Sequence, residues 1–225
     1  MLYLGSCRYM YDYDWDFFPG RLHSTREIIF FLEHITNINH IITNNPPEIT
    51  NLIFGDIYHT GVINDFNKFM NKKLDKGIPK IIMEISSRKV MYHNNIPLNH
   101  FYASRYKEHY PFIEKKLTDE EVEYDLNHII NLCKITFNEN IEIHIIPHLN
   151  LKTKNTLQYI YDRNNFVHLL EWLCNKYNIK IHNVGKYIEK HNNDCFIEDY
   201  MPDSTHYIDD TDTIKEFLIN DIIGK

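Results

Sequence analysis

The chain has few cysteines, and their spacing excludes two classes of small stabilised domain. Its 225 residues include 4 cysteines, and no two of them form a C-x-x-C pair: Cys7, Cys133, Cys174 and Cys195. Disulfide frameworks and zinc knuckles need closely spaced cysteines, so a reduced, intracellular and cytoplasmic protein is expected. No His, Asp or Glu cluster has the spacing of metal ligands, and no metal site is expected.

Excess positive charge and long apolar runs are also missing. The chain has 24 Lys and Arg against 31 Asp and Glu, a formal net charge of -7. Nucleic-acid affinity depends on a basic face that neutralises phosphates. No segment approaches the roughly 20 apolar residues of a membrane helix, and no basic signal region precedes Leu2-Tyr3-Leu4. We therefore expect a protein that binds neither nucleic acid nor membrane.

What the sequence does contain is an alternation of short apolar segments with longer segments of helical period. This alternation predicts βαβ units around a parallel sheet that is covered by helices on both faces. The predicted strands span residues 1–5, 52–55, 80–85, 141–146 and 179–182. The expected fold class is α/β, a single domain forming a three-layer α/β/α sandwich on a mostly parallel five-stranded sheet.

Two helix starts are marked by the capping-box pattern S/T-x-x-E. They are Ser24-Thr25-Arg26-Glu27 and Thr118-Asp119-Glu120-Glu121. After the second, an apolar stripe at helical spacing ends at Cys133, which is therefore predicted to lie in the core. Further helices are predicted over residues 62–73, over 156–175 with a potential break near Asn164, and over 211–222.

Residues 87–117 show no clear period. This segment is rich in Tyr, His, Arg and Lys and is interrupted by Pro97 and Pro111. A long segment without secondary structure inside a compact domain is usually a functional loop. We expect a lid insertion here, although a missed helix or strand would give the same pattern.

Chemically active side chains follow the predicted strands. Ligands of open parallel sheets bind at the carboxyl ends of the strands, where these side chains would gather. Cys7 is the candidate nucleophile, because a thiol whose pKa is lowered by an imidazole attacks thioesters readily, and Ser6 is its rival. Arg8, Arg88 and Lys89 are candidates to hold a phosphate or pyrophosphate. The remaining candidates for substrate contact are Tyr58, His59 and His148.

The pattern D-x-x-H occurs three times and offers a candidate base. An Asp that bonds one imidazole nitrogen fixes the tautomer, so that the other nitrogen can accept a proton. Asp125 and His128 lie in a predicted helix, where they would share a solvated face. Asp203 and His206 instead lie in a proline-marked loop before the last predicted helix. We therefore favour His206 as the base and Asp203 as the group that orients it.

These features resemble the SGNH/GDSL hydrolase superfamily, which has a flavodoxin-like fold. When the chain is lined up on Gly5, the family's G-D-S motif places its catalytic serine at Cys7. The segment Gly5-Ser6-Cys7-Arg8 is similar to the thiol-bearing branches, which are GSCFA-type proteins and capsular-polysaccharide acetyltransferases with G-N-C. The chain also resembles sugar-acetyltransferase modules of giant-virus glycan pathways. The specific motifs cover residues 5–8 and 203–206 alone.

The resemblance implies an acetyltransferase that transfers an acetyl group from acetyl-CoA to a sugar, with a nucleotide-linked amino sugar as the expected acceptor. It implies that Gly55 and Ser87 stabilise the oxyanion, although the family's G-x-N-D block is replaced by Ser86-Ser87-Arg88 after the third strand. The alternatives are a carbohydrate esterase or deacetylase of the same superfamily and a non-catalytic glycan-binding domain. The chain could also be one module of a longer multidomain protein.

Overall fold

The computed structural model describes residues 1–5, 22–35, 80–99, 111–192 and 194–202, with the single residues 37, 40, 44, 103, 108, 214, 217, 221 and 222. The chain divides into two compact units, Met1–Ile143 and His144–Lys225. Among the residues described, no helix is both long and apolar enough to cross a membrane.

The helices and strands of the described residues alternate along much of the chain. The elements up to residue 143 are β1 (Leu2–Leu4), α1 (Thr25–His34), β2 (Lys80–Ile85), β3 (Lys89–His93), β4 (Ile96–Leu98), β5 (Ile113–Lys116) and α2 (Asp119–Thr136). Those that follow are β6 (Glu142–Pro147), α3 (Tyr161–Lys176), β7 (Lys180–Ile181), α4 (Val184–His191) and α5 (Ile197–Tyr200).

Four strands form a mostly parallel sheet in the order β1-β2-β6-β7. Strand β1 runs parallel to β2 with Tyr3 opposite Ile82, and β6 runs parallel to β7 with Ile145 opposite Ile181. Strands β1, β2 and β6 are buried along almost their whole length, as their apolar sequences predict. An α/β fold is therefore confirmed. The predicted strand at residues 52–55 lies outside the described residues, and the five-stranded sheet and three-layer sandwich stay predictions.

Both predicted capping boxes are present. The Ser24 hydroxyl accepts the Glu27 N–H, and the Glu27 carboxylate accepts the Ser24 N–H at 2.7 Å. Thr118 and Glu121 make the same reciprocal pair at the start of α2. These bonds satisfy backbone donors that the first turn of a helix cannot bond internally.

Helices α1 and α2 pack against each other. The apolar stripe of α2 is buried as expected, and Cys133 is fully buried within it, so its predicted core position is confirmed. Burial also raises the pKa of the Cys133 thiol, because the thiolate would lose its hydration.

The segment predicted as a lid contains a three-stranded antiparallel sheet in the order β4-β3-β5. Strands β3 and β4 are joined by Asn94 and Asn95, which have φ of 50° and 66°. Positive φ at two central residues is typical of the tight turns that join hairpin strands, and asparagine tolerates it. The sequence interpretation missed these strands because each is short. The role of residues 87–117 as a lid stays a prediction.

Among the described residues of the second unit, one helix was predicted and two were not. The helix predicted over 62–73 lies outside the described residues, as does the one over 211–222 except for positions 214, 217, 221 and 222. Helix α3 begins at Tyr161 rather than at residue 156, and it continues through Asn164, whose N–H donates to the Ile160 carbonyl. The potential break there is therefore wrong. Helix α4 was missed. It follows the cap Asn183, and a Cβ added at Gly185 would overlap the Asn150 carbonyl oxygen.

Replacing Gly5 with alanine is expected to destabilise the chain. A Cβ at this position would lie 2.6 Å from the Tyr3 hydroxyl and 2.7 Å from the Glu84 Cβ, closer than real Cβ contacts allow. We expect Gly5→Ala to lower the free energy of unfolding by about 1–3 kcal/mol, the usual cost of overpacking. Urea denaturation would measure it, with the exposed Asn131→Ala as the control. An unchanged midpoint for Gly5→Ala would contradict the contact.

Candidate functional site

The carboxyl ends of β1 and β2 are joined by two residues of the connection that leads into α1. The Leu22 N–H donates to the Gly5 carbonyl at 2.8 Å, and the Ser86 and Ser87 N–H groups donate to the His23 carbonyl at 3.0 and 2.9 Å. We call these five residues the β1–β2 edge. Gly5 and Leu22, the described residues that flank positions 6–21 in the sequence, therefore both lie at this edge.

A buried acid lies beside Gly5. The Tyr3 hydroxyl donates to the Glu84 carboxylate at 2.8 Å, and both side chains are at most 1% exposed. A carboxylate in such a position is costly unless donors satisfy it. The absence of a Cβ at Gly5 leaves the space that this pair occupies. The sequence offered one signal for it, a single acid inside the apolar strand KIIMEI.

An imidazole and a hydroxyl meet at the same edge. His23 Nδ1 lies 3.4 Å from the Ser86 hydroxyl oxygen, a long hydrogen bond, and the His23 backbone N–H donates to the Glu27 carboxylate at 3.0 Å. Imidazole groups are the commonest proton acceptors in catalysis. His23 was not among the predicted site residues, because the sequence places it in the connection before α1 and after no strand.

The predicted site residues after β2 are already engaged. The Ser87 hydroxyl accepts the Lys89 N–H at 3.0 Å and donates to the Lys89 carbonyl at 3.3 Å. The Arg88 guanidinium pairs with Asp119, and Lys89 Nζ lies 3.1 Å from the Glu114 carboxylate. Each of the two cations therefore faces a carboxylate of this chain.

His148 lies in the second unit, on the loop after β6. Its side chain is buried, and its Nδ1 lies 3.0 Å from the Leu149 carbonyl oxygen. The carbonyl accepts from Nδ1, which fixes a proton on that nitrogen. Burial leaves little of this imidazole available to a ligand in solution.

All the predicted catalytic residues, one predicted oxyanion residue and three predicted binding residues lie outside the described residues. This holds for Ser6, Cys7, Arg8, Gly55, Tyr58, His59, Asp203 and His206. Their roles, including the pairing of Cys7 with His206, stay predictions. Among the residues that the structure does describe, no three His, Cys, Asp or Glu side chains are grouped to hold a metal ion.

The interpretation of Asp125 and His128 as a shared solvated face is wrong for Asp125. This carboxylate is fully buried and accepts hydrogen bonds from the Thr25 hydroxyl at 2.7 Å and from Arg26 Nε at 2.8 Å. Helix α1 covers this position of α2, which spacing within α2 alone cannot reveal. His128 does reach the surface, where its Nε2 lies 3.1 Å from the Glu33 carboxylate.

A chain of three polar side chains in the second unit also escaped the sequence analysis. The Asp221 carboxylate lies 2.6 Å from His182 Nδ1, and His182 Nε2 lies 2.7 Å from His144 Nδ1. The carboxylate accepts from His182 Nδ1, so in the neutral pair His182 Nε2 accepts from His144. The signal for this chain was His144 itself, a single imidazole inside the apolar strand EIHIIP.

The bond between Tyr3 and Glu84 can be tested by a double-mutant cycle. We expect Tyr3→Phe and Glu84→Met each to lower the free energy of unfolding, because each removes one of the two groups that make this buried hydrogen bond. The two changes together should cost less than their sum, with a coupling energy of about 0.5–3 kcal/mol. Urea denaturation of the four proteins measures this energy. Strict additivity would show that the two groups do not interact.

Comparison with protein-family models, with curated proteins and with solved structures finds no match to this chain. The roles of its residues therefore rest on its own sequence and geometry. The β1–β2 edge combines sequence and geometry, because it contains Gly5 and Leu22, which flank Ser6 and Cys7 in the sequence.

Proposed function

We propose that this chain is an acetyltransferase that transfers the acetyl group of acetyl-CoA to a sugar, with Cys7 as nucleophile and His206, oriented by Asp203, as base. The hydrogen bond between the Gly5 carbonyl and the Leu22 amide carries the proposal. It places Gly5 and Leu22, which flank Ser6 and Cys7 in the sequence, at the carboxyl edge of a parallel sheet, where ligands of such folds bind.

The order of the sheet supports the same location. A strand at residues 52–55 placed beside β1 would give the sequence order 2-1-3-4-5, which is the flavodoxin-like order. In that arrangement the chain reverses direction across the sheet between the first and third strands, and the crevice at that point holds the ligand. Here those strands are β1 and β2, whose carboxyl ends form the β1–β2 edge.

The proposed chemistry has two transfers. His206 takes the proton of the Cys7 thiol, and the thiolate attacks the carbonyl carbon of acetyl-CoA. The bond from this carbon to the coenzyme A sulfur breaks, coenzyme A leaves with the proton from His206, and Cys7 carries the acetyl group. The sugar hydroxyl or amine then attacks this new thioester and gives its proton to His206. Cys7 leaves as a thiolate and is protonated by His206.

The hydrogen bonds and ion pairs of the residues after β2 limit which residues can stabilise the oxyanion and which can bind a phosphate. Because both the N–H and the hydroxyl of Ser87 already have partners, the Gly55 N–H is the better donor to the tetrahedral oxyanion. Because Arg88 and Lys89 already face carboxylates, Arg8 is the better candidate to bind a phosphate of coenzyme A.

Acetyl transfer is tested by calorimetric titration with acetyl-CoA and by turnover with amino-sugar acceptors. We expect Cys7→Ala and His206→Gln each to lower kcat by about 100-fold or more, because each removes a reacting group. Cys195→Ala removes a half-buried thiol of the second unit and serves as the matched control. Full turnover in both Cys7→Ala and His206→Gln would reject the proposed roles.

One observation favours the esterase alternative, and a substitution separates the two. The distance of 3.4 Å between His23 Nδ1 and the Ser86 hydroxyl makes Ser86 a second candidate nucleophile. An esterase using this pair would hydrolyse aryl acetates without coenzyme A, would keep this activity in Cys7→Ala and would lose it in Ser86→Ala. Activity that requires coenzyme A and Cys7 supports the acetyltransferase.

Thiol labelling gives a test of Cys7 that needs no substrate. Burial raises the pKa of Cys133, raises that of Cys174 to about 12, and with nearby carboxylates raises that of Cys195. A raised pKa means less thiolate, so all three should react slowly with iodoacetamide near neutral pH. We expect peptide mapping to show Cys7 labelled at least about tenfold faster, as for a pKa one unit lower. Labelling of Cys7 no faster than Cys195 would contradict an activated thiol.

A further inference from the structure

A cleft in the first unit lies between α1, α2 and the turn that joins β3 to β4. It encloses about 290 Å³, and both polar and aromatic side chains line it. This volume is at the lower end of small-molecule sites, which matches a single sugar ring better than a nucleotide. None of the described residues that line the cleft is among those to which we assign acetyl transfer.

The deepest polar group of this cleft is Asp125. Its Oδ2 accepts from Thr25 and Arg26, but its Oδ1 is buried and has no hydrogen-bond partner among the residues described. Burial raises the pKa of this carboxyl above its ordinary value, since the loss of hydration outweighs the two bonds. Oδ1 has no exposed surface, so a ligand can reach it only when the side chains around it shift, and an N–H or O–H of that ligand would then supply the missing bond.

Other groups in the cleft define the chemistry that such a ligand needs. Arg26 uses Nε alone for Asp125, and its two outer nitrogens make no hydrogen bond with any other described residue. The Tyr92 hydroxyl likewise bonds no described residue, and burial raises its pKa, which keeps it protonated. The ligand therefore meets an acceptor at Asp125 and donors at Arg26 and Tyr92. A ring with several hydroxyl groups matches this mixture.

The charges and rings of the cleft select among such ligands. Asp125 and Glu33 bring two carboxylates, against one guanidinium from Arg26 and the imidazole of His128. An anionic ligand is disfavoured by this balance, and a cationic one is favoured. Phe30 and Tyr124 add aromatic surface, which attracts cations and packs against apolar ring faces.

We propose that this cleft binds a monosaccharide that carries a free amine. The amine donates to Asp125 Oδ1, and the ring hydroxyls bond the outer nitrogens of Arg26 and the Tyr92 hydroxyl. The inference goes beyond acetyl transfer, since it needs neither coenzyme A nor Cys7. Binding is therefore measured without acetyl-CoA, and it can succeed or fail independently of the proposed reaction.

The test titrates the full chain, followed by amide chemical shifts, with glucosamine up to roughly 50 mM, above the millimolar Kd of weak ligands. Glucose lacks the amine, butylamine lacks the ring, and glucose 6-phosphate reverses the charge. We expect saturable shifts at the cleft with glucosamine and at least about threefold weaker binding of each comparator. Absence of saturable shifts with glucosamine, or equal binding of any comparator, would overturn the proposal.

Substitution at Asp125 provides the sharper test. In Asp125→Asn the amide oxygen can still accept from Thr25 and Arg26, while an NH₂ group replaces the free acceptor at the Oδ1 position. We expect this change to weaken glucosamine binding about tenfold, the value of one charge-assisted bond. Glu139→Gln, an exposed carboxylate outside the cleft, should leave binding unchanged.

A second variant, Tyr92→Phe, tests the same site if Asp125→Asn does not fold. It removes one hydroxyl that bonds no described residue, so the fold should be retained, and glucosamine binding should weaken about threefold. A folded Asp125→Asn protein that binds glucosamine as the wild type does would overturn the site. If Asp125→Asn is unfolded, unchanged binding by Tyr92→Phe would do the same.

Discussion

The hydrogen bond from the Leu22 amide to the Gly5 carbonyl constrains the first unit more than its size suggests. It closes the connection between β1 and α1 at the point where the strand leaves the sheet. The next residue, His23, accepts two N–H groups from the end of β2, so the same dipeptide ties the two strands together. Ser24 then caps α1 directly. The position of the helix and the end of both strands are therefore set by three consecutive residues.

Buried carboxylates need this precision. Glu27 accepts from the His23 and Ser24 N–H groups, Glu84 accepts from Tyr3, and Asp125 accepts from Thr25 and Arg26. The bonds of Glu84 and Asp125 join segments that are far apart in the sequence. The bonds of Glu27 join the first turn of α1 to the residues before it, and a shift of the helix would break them. A buried carboxylate that loses a donor is left with a desolvation cost larger than the gain of an ordinary hydrogen bond. A different position of α1 would break these bonds and raise the free energy of the folded state, whereas apolar contacts alone would allow small shifts of the helix.

Local signals in the sequence predicted local structure well. The pairs Ser24/Glu27 and Thr118/Glu121 satisfy one another within a single turn, so their spacing is sufficient evidence for the two helix starts. The mostly apolar segment of β2 likewise predicted the bounds of this strand, because its signal lies within the strand itself. Strands β3, β4 and β5 were missed because their stability comes from pairing with one another, and the signal at Asn94-Asn95 was not recognised.

The candidate site was predictable in part. Topology alone placed Gly5 and Ser87 at the carboxyl ends of two strands of one sheet, and the structure shows that these strands are neighbours. Topology could not predict the partners of the residues after β2. Ser87 bonds the Lys89 backbone, which depends on the geometry of the turn. Arg88 and Lys89 pair with Asp119 and Glu114, which come from more distant segments of the sequence. The burial of Asp125 was hidden for the same reason, since it arises from a helix about a hundred positions earlier.

The first turn of α1 is shared by both proposed sites. On one side Ser24 and His23 hold it to the β1–β2 edge, and on the other Thr25 and Arg26 hold it to Asp125. Capping bonds contribute about 1 kcal/mol, and bonds to a charged group about 1.5–3 kcal/mol. The turn is therefore held from both directions, and the two bonds to Asp125 are the stronger ones. Thr25 and Arg26, which bond Asp125, directly follow His23 and Ser24, which bond the end of β2 and cap the helix. The geometry at Gly5 and the geometry of the cleft are thus two properties of one helical turn.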